Sequence, residues 1–196
     1  CEAHAGSRDM FRAVWGLWAG ASSRSGYDHA EDLARQLLGM ARGSDDPVEA
    51  QQAHLALGNT LFWQGRFCES RQHLERVIAL HRPAHHARHI ADFGEDVRIT
   101  AGAYLAWALD MQGAAVEARK ECAEALALAR RSRHPFSLAY ALTFAALLHC
   151  RQRLPDEALL LAAETSRLAE QHGFHLWRVG AEVARGWASV QQGNTA

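Results

Sequence analysis

Apolar residues recur at three- and four-residue spacing along nearly the whole chain, and short polar breaks interrupt them. That spacing fits amphipathic helices joined by tight turns. The clearest unit is Ala53–Leu80, AHLALGNTLFWQGRFCESRQHLERVIAL, which reads as two helices meeting at Gln64-Gly65-Arg66. The second helix carries Leu74, Val77 and Ile78 on one side, and the first contains Leu57-Gly58. A helical glycine costs about 1 kcal/mol relative to alanine, so Gly58 implies close approach of a neighbouring helix.

Turn-like sites at Ser25, Gly65, Gly113, Arg153 and Gly193 stand 40, 48, 40 and 40 residues apart. The longer interval coincides with a polar, His-rich insertion at Arg82–Glu95. Five residues after the first four turns comes a small residue: Ala30, Ser70, Ala118 and Ala158. Nine helices follow: Asp9–Ser22, Asp28–Arg42, Pro47–Gln64, Phe67–His81, Val97–Gln112, Ala115–Arg131, Pro135–Arg151, Pro155–His172 and Leu176–Gln192. Pro47, Pro135 and Pro155 fall at first-turn positions, where a missing N–H costs nothing. Asp156 and Glu157 suit the positive end of the helix dipole.

These paired helices resemble the tetratricopeptide repeat (TPR), a helix–turn–helix unit that buries its apolar face by stacking on its neighbours. The forty-residue period exceeds the usual length of about 34. Together with YLAWALDMQG, EARKECAEALALAR, HPFSLAYALTFAALLH and GFHLWRVGAEVARGWASVQQG, it resembles the long-repeat arrays of bacterial multidomain signalling ATPases. The resemblance implies an all-α, right-handed α-α superhelix of about nine helices, filling residues 1–196 as one domain. The repeats would span 9–46, 47–81, 96–131, 134–172 and an incomplete 174–196, with 82–95 as a structured loop over the surface. It also implies a fragment of a larger cytoplasmic protein whose output domain is a nucleotide cyclase or DNA-binding module. The start at Cys1 without methionine agrees with a fragment.

In such arrays the first helix of each pair lines the concave face. On that register Arg12, Trp15, Gln52, Asn59, Phe62, Trp63, Trp107, Asp110, Tyr140, Arg151 and Trp187 would meet a peptide or partner domain. Aromatic residues dominate binding hot spots, although the same side chains also serve as packing between helices. Asn59 matches the asparagine with which chaperone-binding members hold a terminal carboxylate. Leu55 and Ala103 stand where the accompanying basic residues are needed, which speaks against that ligand.

The insertion holds His81, His85, His86 and His89. His85 and His89 are four apart, a spacing that places two imidazoles on one helix face, so they form a weak zinc candidate beside the plainer reading of solvated loop histidines. Asp28, Glu31 and Asp32 crowd a helix start, where they serve the dipole. His149 and Cys150 are chain neighbours and point about 100° apart on a helix. No phosphate loop and no G-x-S-x-G elbow exists, so no catalytic residue and no cofactor is expected.

The 196 residues are 48% hydrophobic and 22% charged, with a formal charge of −1. That balance gives no electrostatic reason to expect nucleic acid or an acidic membrane as partner. Cys1, Cys68, Cys122 and Cys150 lack C-x-x-C spacing, and the last three fit as small apolar packing residues in a reducing compartment. No apolar run reaches the roughly 18 residues of a membrane span. The expected function is therefore non-catalytic: a regulatory sensor module that binds a protein or peptide. A free-standing adaptor and a metal enzyme built on His81–His89 are the alternatives. The last helix, lacking a second one to pair with, is expected to fray or to join another copy as a homodimer.

Overall fold

A computed structural model describes residues 2–44 and 46–193, with side chains from residue 8 onward, so Cys1 lies outside the described residues. Among these residues there are ten α-helices, one short 3-10 turn and no strand. The helices are α1 (Glu2–Ser23), α2 (Tyr27–Arg42), α3 (Pro47–Trp63), α4 (Phe67–Leu80), α5 (His86–Phe93), α6 (Val97–Met111), α7 (Ala115–Ser132), α8 (Pro135–Arg151), α9 (Pro155–His172) and α10 (His175–Gln191). Nine of them are the expected ones. The tenth, α5, lies within the insertion and follows a 3-10 turn at Pro83–His85.

All five expected turns have left-handed backbone: Ser25 (φ 59°), Gly65 (78°), Gly113 (83°), Arg153 (57°) and Gly193 (79°). This conformation lets the N–H of the residue after the left-handed one, three past the helix end, reach back to a carbonyl in its last turn. Gly26 N–H bonds to Ala21 O at 3.0 Å, Arg66 to Leu61 at 2.9 Å and Leu154 to His149 at 2.9 Å. At each of the first four, three residues separate one helix from the next. Ala30, Ser70, Ala118 and Ala158 are all fully buried, as a small residue on the inner side of such a reversal must be.

Tertiary contacts gather into two compact units, Cys1–Gly113 and Ala114–Ala196. In the first, consecutive helices α1 to α4 pack on one another, α4 packs on α6, and α3 touches both α1 and α6. In the second, α7 packs on α8, α8 on α9, and α10 on both α8 and α9. Helices with a neighbour on several sides lose their amphipathic character: α3, α6 and α8 are buried around nearly their whole circumference. By contrast α2, α4, α7 and α9 bury one stripe and turn the rest to water.

Gly58 has the close neighbour expected of it. A Cβ added there would lie 3.0 Å from Cγ and Cδ2 of Leu74 and 3.3 Å from Cβ of His73. Ser70 Oγ uses the same approach to donate a 2.7 Å hydrogen bond to Gly58 O. The core around α1 to α3 is built from Phe11, Val14, Trp18, Leu33, Leu37, Val48, Leu57 and Leu61, capped by Phe93 from α5. Each of these large side chains contributes about 1.5–3 kcal/mol on burial. In the second unit Ala146, Ala162, Ala181 and Ala184 form a core of methyl groups, which lets α8, α9 and α10 approach closely.

Candidate functional site

The insertion is held within the first unit and does not lie over it as a loop. His89, on α5, is 1% exposed and sits in a chain of hydrogen bonds running through four helices. Trp15 Nε1–H donates to Gln52 Oε1 at 3.1 Å, and Gln52 Nε2–H donates to His89 Nδ1 at 3.1 Å. His89 Nε2–H then donates to Gln51 Oε1 at 3.0 Å, and Gln51 Nε2–H to Val77 O at 3.2 Å. Only the neutral imidazole protonated on Nε2 completes this series. Burial pushes His89 down to about 4, in accord with that state.

Both ring nitrogens of His89 are therefore used, and the pair His85 and His89 cannot act as two metal ligands. Among the described residues no group of three or more His, Cys, Asp or Glu side chains converges as a metal site. Two further contacts clamp α5. Arg88 makes a bidentate pair with Asp46, one arm at 2.9 Å, while Asp46 caps α3 by accepting from Val48 N–H. His86 bonds to Asp96, which caps α6 by accepting from the N–H groups of Arg98 and Ile99. One eight-residue helix thus fastens the N-termini of two others.

The residues expected on a partner-facing surface divide between inside and outside. In the first unit Gln52 is fully buried in the His89 chain, Phe62 is 5% exposed and Asn59 is buried. Trp15 is half-buried, with its ring 5.2 Å from Phe93. These side chains are consumed by packing, a role the sequence left open. Arg12 is exposed and pairs with Asp92 at 3.8 Å. Trp107 is half-buried with its ring 6.3 Å from Phe62, and Asp110 is half-buried. In the second unit Tyr140 is buried between Phe144 (4.5 Å) and Trp177 (5.0 Å), Trp187 is half-buried and Arg151 is exposed.

Trp63 is different. Its side chain is about half in water (49% exposed), yet it is held in place on both sides. Tyr27 stacks parallel to it at 6.4 Å and 5°, and its indole N–H donates to Tyr104 Oη at 3.1 Å. Phe62 meets it edge-on at 5.4 Å. Beside this aromatic platform lies a polar cluster around Glu31, reached by Gln64 at 2.9 Å and Arg66 at 2.9 Å, with Arg35 adjoining. Burial works against the Glu31 charge, but the hydrogen bonds from Gln64, Arg35 and Arg66 outweigh it and hold the carboxyl down at about 2. A rigid, half-desolvated indole beside fixed charge is the chemistry of a binding hot spot. Glu31, expected only to serve the helix dipole, belongs to this patch. Its partners Gln64 and Arg66 lie more than thirty residues away, so local spacing gave no sign of it.

The second unit has a cleft of about 430 Å³ between α7 and α9, floored by Ala145 and His149 of α8. Cys122, Leu126 and Leu161 line it, and Arg130 pairs with Glu164 across it at 2.7 Å. Burial pushes the Cys122 thiol up to about 12, so it is an inert packing group. Cys150 is half-buried, whereas Cys68 is exposed and does not pack as expected.

Comparison with known proteins yields a fold. No protein-family model matches the chain, and no curated protein does. A crystal structure from Podosopora anserina, of kinesin light chain nearly identical TPR-like repeats, aligns with 95% of this chain and 88% of its own, at 16% identity and a TM-score of 0.67. The all-α architecture is that of a TPR-like helical-repeat solenoid. At this identity the likeness concerns the fold alone.

Proposed function

We propose that this chain is a non-catalytic protein-interaction module, and that the surface centred on Trp63 is where a peptide or partner domain docks. The observation that carries this reading is the half-exposed Trp63 indole, immobilised by Tyr27 and Tyr104 and flanked by the Glu31–Arg66 cluster. A side chain already fixed in one rotamer loses little entropy on binding, which is the main cost that weakens interfaces. An aromatic ring beside paired charges suits a peptide with an apolar side chain next to a polar backbone turn.

The wider reading is a regulatory arm of a bacterial, cytoplasmic signal-transduction ATPase, formed by a single array of five long repeats. Its support is the sequence resemblance of the repeats. Partner binding would then shift the parent protein between closed and active forms by differential affinity for the two.

Selection from a random peptide library displayed on phage tests the site. Enriched peptides should lose about 30-fold in affinity on Trp63→Ala, the scale of a hot-spot truncation. Thermal unfolding followed by circular dichroism should show the variant still folded. Enrichment of peptides indifferent to Trp63→Ala would overturn the assignment.

A further inference from the structure

From Val48 to Phe62, helix α3 is buried except at two positions, Ala50 and His54. They stand four residues apart, on one face of the helix. Both open on a pocket of about 120 Å³, completed by Leu38, Ala41 and Arg42 of α2 and His73 of α4. His54 and His73 meet there, Nδ1 to Nδ1 at 2.9 Å. Such a bond needs one N–H and one bare nitrogen, and two neutral rings supply them.

The repeat itself does not call for this pair. Eleven residues before a turn and eight after it, the other repeats carry Val14 and Leu33, Gly102 and Glu121, and Leu142 and Leu161. Two of these three sets are wholly apolar, and none has a histidine. In the same places α3 and α4 set two half-buried imidazoles, which burial partly strips of water.

The charges around the rings are largely of one sign. Burial, and then His73, Arg76 and Arg42, push His54 down to about 4. Burial also lowers His73, where Arg35 adds to the effect and Glu69 opposes it. Glu69 is the only carboxylate among the described residues that acts on either ring, and it is already paired with Arg66 at 2.6 Å. Arg35 is taken by Glu31 at 2.5 Å.

Room and charge together select a ligand. The volume takes about four waters, the size of one small ion. A metal cation would face Arg42 and find two imidazoles alone, since no group of three or more His, Cys, Asp or Glu side chains converges among the described residues. An oxyanion would meet the Arg42 guanidinium, which presents paired donors. The apolar walls of Leu38, Ala41 and Ala50 keep water from screening that attraction. One imidazole can take a second proton at Nε2 and still keep its bond to the other, so the pair can add a positive charge when an anion arrives. Arg42, His54 and His73 come from three helices, and donors from three directions suit a tetrahedral ion better than a flat carboxylate.

We propose that this pocket binds one small tetrahedral oxyanion of the phosphate class, held by Arg42 and by the His54–His73 pair, which takes up one proton from solvent as the anion enters.

Calorimetric titration with sodium sulfate and sodium phosphate, against sodium chloride at equal ionic strength, is the test. Sulfate keeps its charge between pH 5.5 and 7.5, so its affinity reports the protein's own groups. It should rise about tenfold from pH 7.5 to pH 5.5, with proton uptake counted from the heats in two buffers. Arg42→Ala, at an exposed position, should lose at least about tenfold in affinity. His54→Leu combined with His73→Leu, the residues that stand at these places in α8 and α9, should abolish binding. Circular dichroism melts should show both variants folded. Methyl phosphate, titrated in parallel, tells the source: binding equal to phosphate assigns a phosphoryl group carried by a larger molecule, and rejection assigns the free ion. Sulfate and phosphate bound no better than chloride would overturn the site. So would Arg42→Ala binding like wild type, or a sulfate affinity indifferent to pH.

Discussion

Replacing His89 by leucine removes the centre of the hydrogen-bond chain from Trp15 to Val77 while keeping an apolar side chain in its place. Gln51 Oε1 and Gln52 Nε2 then lose their partners, and both glutamines are fully buried. A buried polar group left unsatisfied costs about 1–3 kcal/mol, so two predict a loss of about 2–6 kcal/mol near neutral pH. The pH dependence of that loss is the sharper test. In the folded protein burial lowers His89 to about 4, against an ordinary 6.5. The unfolded chain therefore takes up the proton first, and the stability that neutral His89 provides is complete above pH 6.5 and lost as pH falls toward 4. At 1.36 kcal/mol per pH unit, the loss from this one group is about 2 kcal/mol at pH 5. His54 is also lowered, by burial and by His73, and Glu95 is raised to about 7 by desolvation. Both remain in the variant, so they cancel in the difference. Urea unfolding of wild type and His89→Leu at pH 7.5 and pH 5, followed by circular dichroism and tryptophan fluorescence, should show the gap narrowing by about 2 kcal/mol at the lower pH. Nitrogen chemical shifts of the imidazole should report Nε2–H at pH 5.5. A gap that does not depend on pH, or a His89 that titrates near 6.5, would refute the reasoning.

Gly58→Ala should destabilise by about 1–3 kcal/mol in thermal melts, because its Cβ meets Leu74 at 3.0 Å and overpacking outweighs the gain in helix propensity. Gly39→Ala, on α2 with nothing within 4 Å, should instead raise stability by about 1 kcal/mol. Arg153→Gly relieves a left-handed residue (φ 57°) and should stabilise by about 0.5–1 kcal/mol in urea titrations. Zinc added in excess should leave the melting temperature unchanged, since both ring nitrogens of His89 are bonded and binding to the native state alone would raise it. A rise of several degrees would count against the arrangement around α5.

Much of the helical frame was legible because the turns repeat in register. Forty-residue spacing from Gly65 and from Gly113 marks Ser25 and Arg153 as turns, although neither residue favours φ > 0, and both adopt it. The buried Ala30, Ser70, Ala118 and Ala158 followed from the same register. The insertion was harder. Its eight-residue helix is too short for a clear apolar period, and the groups that fix it, Asp46, Gln51 and Gln52, lie some forty residues upstream. The repeat register places Gln52 and Phe62 at a surface only if α3 has an outer face. Helix α3 has almost none, being packed from several sides. Trp63 shows the limit of spacing: it follows Phe62 directly at the end of α3, yet one ring is buried and the other half in water.

The clamp formed by α5 also bears on how the first unit folds. A stacked repeat fold is quasi-one-dimensional: each unit contacts its neighbours, nucleation can begin anywhere, and contact order stays low. Helix α5 departs from that scheme, because its bonds to Asp46, Gln51 and Gln52 close loops of about forty residues and its chain of hydrogen bonds reaches Trp15. These closures carry an entropic cost before they return any stability. The segment from α1 to α6 should accordingly fold more slowly than its helical content suggests, and unfold as one cooperative block instead of peeling away repeat by repeat.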